Sequence, residues 1–134
     1  MILNLETMIA ETKKILITAA LLAALAVMIG AFGAHGLKPL LTEFQRLETF
    51  DTAVKYHFYH VFALFALGML SHRLSLQKVR VCFWLFLTGI LIFSGSLYAL
   101  SLTNIAILGA VTPIGGALLI LGWFSFALAI RTLA

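Results

Sequence analysis

An all-α integral membrane protein, folded as a four-helix bundle with an amphipathic lead-in before its second span, is the fold class this sequence predicts. Three observations predict it. Of the 134 residues, 63% are hydrophobic and 10% charged, whereas soluble domains are about half apolar and a quarter charged. The charges stand between long apolar runs instead of being spread along them. The runs also have the length, about 20 residues, that crosses the hydrocarbon core of a bilayer. A single transmembrane domain over 1–134, with spans at about 15–34, 56–72, 81–100 and 113–130, accounts for the chain.

The first span follows Lys13 and Lys14 and ends where Gly33, Gly36 and Pro39 oppose helix continuation. A cleaved signal is rejected: the uncharged stretch Ile15 to Leu37 is longer than a signal's apolar region, and more spans follow. The second span lies between Lys55 and Arg73, but its helix is expected to start earlier. Thr42 with Gln45 three residues on reads as a capping box, and Phe44, Leu47, Phe50, Val54 and Phe58 continue a helical apolar stripe. Residues 43–55 are therefore expected as an amphipathic segment lying at the membrane surface.

Arg73, Lys78 and Arg80 mark a basic turn, after which the 50 residues to Arg131 carry no charge. That is too long for one span, so a break is placed at Ser101 to Asn104. Thr112 followed by Pro113 reads as an N-cap and first-turn proline for the last helix. The apolar piece 105–111 reads either as a re-entrant or interfacial turn, or as helical chain kinked at Pro113.

With the N-terminus inside, Lys13, Lys14, Arg73, Lys78, Arg80 and Arg131 face Lys38, Arg46 and Lys55 across the membrane, six against three. The positive-inside rule then places both termini in the cytoplasm. The net charge of +4 is dispersed, so no nucleic-acid footprint is formed. Cys82 has no partner in the chain and reads as a small packing residue.

Helices in lipid associate through small residues that let backbones approach. Such seams run through Ala19, Ala23, Ala26, Gly30 and Gly33 in the first span, and through Cys82, Gly89, Ser96 and Thr103 in the third. The last helix carries Gly115, Gly122, Ser125 and Ala129. Ala23, Gly30, Gly33, Gly89, Gly95, Gly115 and Gly122 are the expected packing positions.

His57 and His60, three apart on one helix face, are the chain's most unusual intramembrane residues. They read as interfacial anchors or hydrogen-bonded packing residues beside Tyr56 and Tyr59, as part of a solute or proton site, or as ligands to a metal or haem. Alternation of the helices brings His35, His57, His60, Ser94, Ser96, Tyr98 and Thr112 to one membrane face, the candidate polar site. If they share one network, replacing His57 and His60 should be non-additive. His72, at the other face, reads as an interface marker. No nucleophile elbow, phosphate loop, zinc signature or carboxylate pair is present, so no enzyme or cofactor is implied by motif, and a haem or metal reading rests on the histidines alone.

Several segments, taken in order, carry a likeness: Gly30-Ala31-Phe32-Gly33-Ala34-His35-Gly36, Tyr56-His57 with His60 and Ala63-Leu64, Phe93-Ser94-Gly95-Ser96-Leu97-Tyr98, and Thr112-Pro113-Ile114-Gly115-Gly116 with Gly122-Trp123. Together they resemble the YgdD-like family of small membrane proteins, domain of unknown function 423. The resemblance implies a bacterial inner-membrane location and four spans, and brings no activity, cofactor or catalytic residue. The dozen residues before Lys13 lie outside it, and Met8 is an alternative start. The expected function is that of a packing, oligomerising or accessory membrane component, with the lipid bilayer, a second copy or a membrane complex as partner. A small-solute binder or transporter acting at the polar face is the alternative, although residues 15–72 and 81–131 show no inverted repeat.

Overall fold

The computed structural model describes residues 2–131 and Leu133, with side chains from Leu5 onward. Its helices are α1 (Ile2–Ala34), α2 (Lys38–Glu43), α3 (Leu47–Leu70), α4 (Leu76–Thr103) and α5 (Thr112–Ile130). Short 3₁₀ turns occupy Ser71–Arg73 and Ala106–Ala110. Among the described residues, four helical stretches are long and apolar enough to cross a membrane: Leu5–Ala34, Leu47–Arg73, Leu76–Thr103 and Ala106–Ile130. The chain is thus an all-helical, multi-pass membrane bundle.

The helices overrun the apolar runs because a helix does not have to stop where the lipid does. α1 begins at Ile2 instead of Ile15, carrying Glu11, Lys13 and Lys14 within it. α4 begins at Leu76 and ends at Thr103, followed by Asn104, whose φ of 55° is the left-handed conformation that asparagine tolerates at a helix terminus. The piece 105–111 resolves as a 3₁₀ turn leading into Pro113 in the first turn of α5.

Two capping expectations are corrected. Pro39 starts α2, so Thr42 is already helical, and its hydroxyl donates back to the Lys38 carbonyl at 2.8 Å instead of capping α3. The chain then turns through Gln45, at φ 55°, with the Arg46 amide donating to the Leu41 carbonyl. Thr112 likewise is not a cap: Val111 holds that position, and the Thr112 hydroxyl pairs across to Ser96.

The lead-in also differs in form. Glu43 belongs to α2, while residues 47–55 are the first turns of α3 itself, one continuous helix down to Leu70. Those turns are amphipathic: Phe50 and Ala53 are buried, whereas Glu48, Asp51 and Lys55 are exposed. They stand upright because Phe50 seats where a Cβ on Gly33 would be, which ties this end of α3 to α1.

The main packing runs from α1 to α3, α3 to α4 and α4 to α5, so α1 and α5 each have one principal neighbour. The shared core contains Ile15, Leu64, Leu67, Phe83, Phe86, Leu119 and Phe126. Gly89 lies against Leu119, Gly115 against the Phe93 backbone and Gly122 against the Phe86 ring. Gly30 meets Val54, and Ala23 is half-buried. Gly95 is the exception among the expected packing glycines, since no atom lies within 4 Å of where its Cβ would be. A further close approach, Gly68 against Leu16, was not marked by any seam in the sequence.

Candidate functional site

His57 and His60 are both buried, on the face of α3 that meets α4. Their i, i+3 spacing turns them the same way, but they find different partners. His57 Nδ1 lies 3.2 Å from the Tyr98 hydroxyl of α4, whose ring in turn packs against Phe50 with centroids 5.4 Å apart. Its Nε2 is buried without a hydrogen bond. His60 Nδ1 instead takes the Tyr56 carbonyl of its own helix at 2.7 Å. The His60 ring lies among Tyr56, Phe86 and Trp123.

Ser96 and Thr112 form a separate pair at 2.8 Å that joins α4 to the start of α5. Ser96 also donates to the Phe93 carbonyl at 3.0 Å. Ser94 is buried with its hydroxyl unpartnered. His35 is exposed at the end of α1, beside Phe32 and Gly36. The single polar network expected of these residues is therefore not formed. Helix alternation sets which ends share a membrane face, but the rotation of each helix sends the polar side chains into separate interfaces.

Between α3 and α5, over α4, lies a cavity of about 510 Å³ lined by Tyr56, Tyr59, His60, Phe93, Gly116, Leu119, Ile120 and Trp123. Tyr59, Ile120 and Trp123 are exposed at its rim, so it opens on the side of the bundle. Among the described residues, no group of three or more histidine, cysteine, aspartate or glutamate side chains is placed to hold a metal ion.

The opposite end holds a cluster that sequence reasoning missed. Glu11 is only 9% exposed and receives Arg80 Nε at 2.7 Å and Lys14 Nζ at 2.5 Å. The Lys14 ammonium also stands 4.8 Å over the Phe83 ring. Next to it, the Thr12 and Ser71 hydroxyls meet at 2.6 Å, tying α1 to the turn after α3. Both cations are nearly half exposed, so solvent screening holds this cluster to about 1 kcal/mol although the carboxylate itself is covered. The available signal was a pair of carboxylates, Glu6 and Glu11, at the membrane face richest in lysine and arginine. At the far end, Arg46 Nε donates to the Asn104 side chain at 3.0 Å, a tie between α3 and α4 that no local pattern marked.

Comparison with known proteins bears on the motifs just placed. The family model described as "Protein of unknown function (DUF423)" matches residues 29–116, which include the glycine-histidine segment, the histidine pair and the serine-tyrosine segment but not Gly122-Trp123. The UPF0382 membrane protein YwdK of Bacillus subtilis is 45% identical over 118 residues, 87% of this chain and 95% of its own length. A UPF0382 membrane protein of Staphylococcus epidermidis is 44% identical over 117 residues, 87% of this chain and 94% of that one. One from Staphylococcus saprophyticus is 46% identical over 111 residues, covering 83% and 91%. No solved structure matches the chain.

Proposed function

Because this chain belongs to the DUF423 family of membrane proteins of unknown function, we infer that it acts without catalysis, as a component that packs laterally in the membrane. Its partner is a second copy or a subunit of a larger membrane complex. The observation that carries this reading is the outer side of α1, which has one principal neighbour and leaves Ala20, Ala24 and Ala31 exposed. Small residues at such steps let another helix approach closely. The Ser96, Tyr98 and Thr112 hydroxyls and the His57 ring, by contrast, serve contacts within the chain.

Cys82 is buried and is the chain's one cysteine, so it can be replaced by serine to leave a clean background. In that background Ala24→Cys, oxidised in native membranes, is expected to form a cross-linked product. A product of twice the chain mass identifies self-association, and one of another fixed mass identifies a partner subunit. A cysteine that stays monomeric under oxidation while reacting freely with a lipid-soluble thiol reagent would refute lateral packing through α1.

The same reading places the protein in the bacterial inner membrane with both termini cytoplasmic, supported by the six-to-three distribution of lysine and arginine. A reporter fused after Ala134, which lies outside the described residues, is expected to behave as cytoplasmic. One inserted in the exposed turn at Gln45, near Leu41, is expected to behave as exported. The opposite pair of results would invert the orientation.

A further inference from the structure

His60 is 5% exposed and its Nδ1 faces a backbone carbonyl, which only accepts. Nδ1 therefore carries the ring proton, and in the neutral tautomer Nε2 offers a lone pair. No described residue donates to that nitrogen. His60 stands five residues beyond Lys55, about 7–8 Å further along the helix axis, within the stretch of α3 that is apolar enough to cross a membrane. An acceptor left unmet in hydrocarbon is costly. Whatever fills the cavity at His60 must bring a hydrogen-bond donor and must be soluble in the bilayer.

The walls narrow the class further. Tyr56 stacks on Phe93 at 4.6 Å and 30°, and the Trp123 ring lies 6.1 Å from His60 across the opening. These rings already touch one another, and the faces and edges they leave toward the cavity, with that of Tyr59, suit a flat aromatic guest. A cationic guest is disfavoured, because the carboxylates on α3, Glu48 and Asp51, sit at its exposed end and Asp51 is paired with Lys55 at 2.6 Å. The cavity volume of about 510 Å³ suits a substituted ring with the start of an alkyl tail.

We propose that the cleft between α3 and α5 binds a lipid-soluble ring alcohol, a phenol or hydroquinone headgroup, whose hydroxyl donates to His60 Nε2 while its ring lies among Tyr56, Phe93 and Trp123. This goes beyond lateral packing through α1 and stands whether or not that occurs. A free phenol and the hydroquinone head of a membrane lipid share this chemistry.

Trp84→Phe, at an exposed position near the other end of α4, leaves Trp123 as the only tryptophan. With that variant in nanodiscs, a ring-brominated para-decylphenol is expected to quench Trp123 in a saturating manner. It should saturate at about tenfold lower mole fraction than its methyl ether, the ratio one lost hydrogen bond gives. A ring-brominated decylhydroquinone should saturate as the phenol does, and a brominated decyl alcohol, a donor without a ring, should quench only in proportion to its concentration; saturation by the alcohol at the level of the phenol would overturn the choice of a ring. His60→Phe should bring the phenol to the level of the ether, and Gly116→Leu, which fills the cleft from α5, should abolish saturation for both. Equal saturation by phenol and ether in the protein with His60 intact would overturn the proposal, whatever the folding of the variants. Saturation by an acyl-brominated phospholipid at the same level as the phenol would also overturn it, showing a groove for lipid chains.

Discussion

Gly115→Leu is expected to destabilise the protein by about 3 kcal/mol or more, enough to abolish cooperative unfolding in mild detergent or to lower its midpoint steeply. Gly115 is buried where α5 crosses α4, and the atoms facing it are the Phe93 backbone and Cβ. A backbone cannot move aside as a side chain can, so any added carbon must push the two helices apart. Gly122→Leu should cost less, because its nearest neighbour, at 2.9 Å, is the Phe86 side chain and not a backbone. Gly30→Ala should be tolerated, since Val54 stands at 3.4 Å. Gly95→Ala should be neutral or stabilising by up to about 1 kcal/mol, the helix preference of alanine over glycine, because its surroundings are open. Thermal melts of these variants beside Leu21→Phe, an exposed control, test the ranking. A Gly115→Leu melt equal to that of Leu21→Phe would show that the α4–α5 contact does not depend on close approach.

Removing the Tyr98 hydroxyl is expected to cost about 1–3 kcal/mol, the penalty for stripping the partner from a buried polar group. Tyr98→Phe keeps the ring against Phe50 but leaves His57 with neither nitrogen bonded, since Nε2 is already without a partner. His57→Leu in the Tyr98→Phe background should then cost less than in the native chain, giving a coupling of about 1 kcal/mol. His57→Leu and His60→Leu, in contrast, should add within about 0.5 kcal/mol, because the rings share no partner. This replaces the coupling expected when the two histidines are read as one site. Chemical unfolding of the singles and doubles in detergent measures both cycles. Additivity of the Tyr98 and His57 changes would mean that the 3.2 Å contact contributes nothing to stability.

Much of the fold was legible because entry into a bilayer depends on local composition. Lysine and arginine between apolar runs, Pro113 and Asn104 mark spans and breaks without any long-range information. The seams were legible for a related reason: glycine at helical spacing has few uses other than close approach, and Gly33, Gly89, Gly115 and Gly122 all face another element. Spacing alone does not say which glycine meets something, and Gly95 shows the limit. Capping failed because a hydroxyl near a helix start has other partners: Thr42 bonds back to the Lys38 carbonyl inside α2, and Thr112 pairs with Ser96 of α4.

What the sequence by itself determined is the membrane class, the number and order of the spans, and the ends that share a face. Partition into lipid is a sum over neighbouring residues, and alternation follows from counting the crossings. Only the tertiary structure decided which polar groups meet: Glu11 with Arg80, 69 positions apart, His57 with Tyr98, 41 apart, and Arg46 with Asn104, 58 apart. Those pairings depend on each helix's rotation and its height against its neighbours. In lipid no hydrophobic difference between the faces of a helix fixes either one, so both are set by steric fit at points such as Gly115 against Phe93 and Phe50 over Gly33.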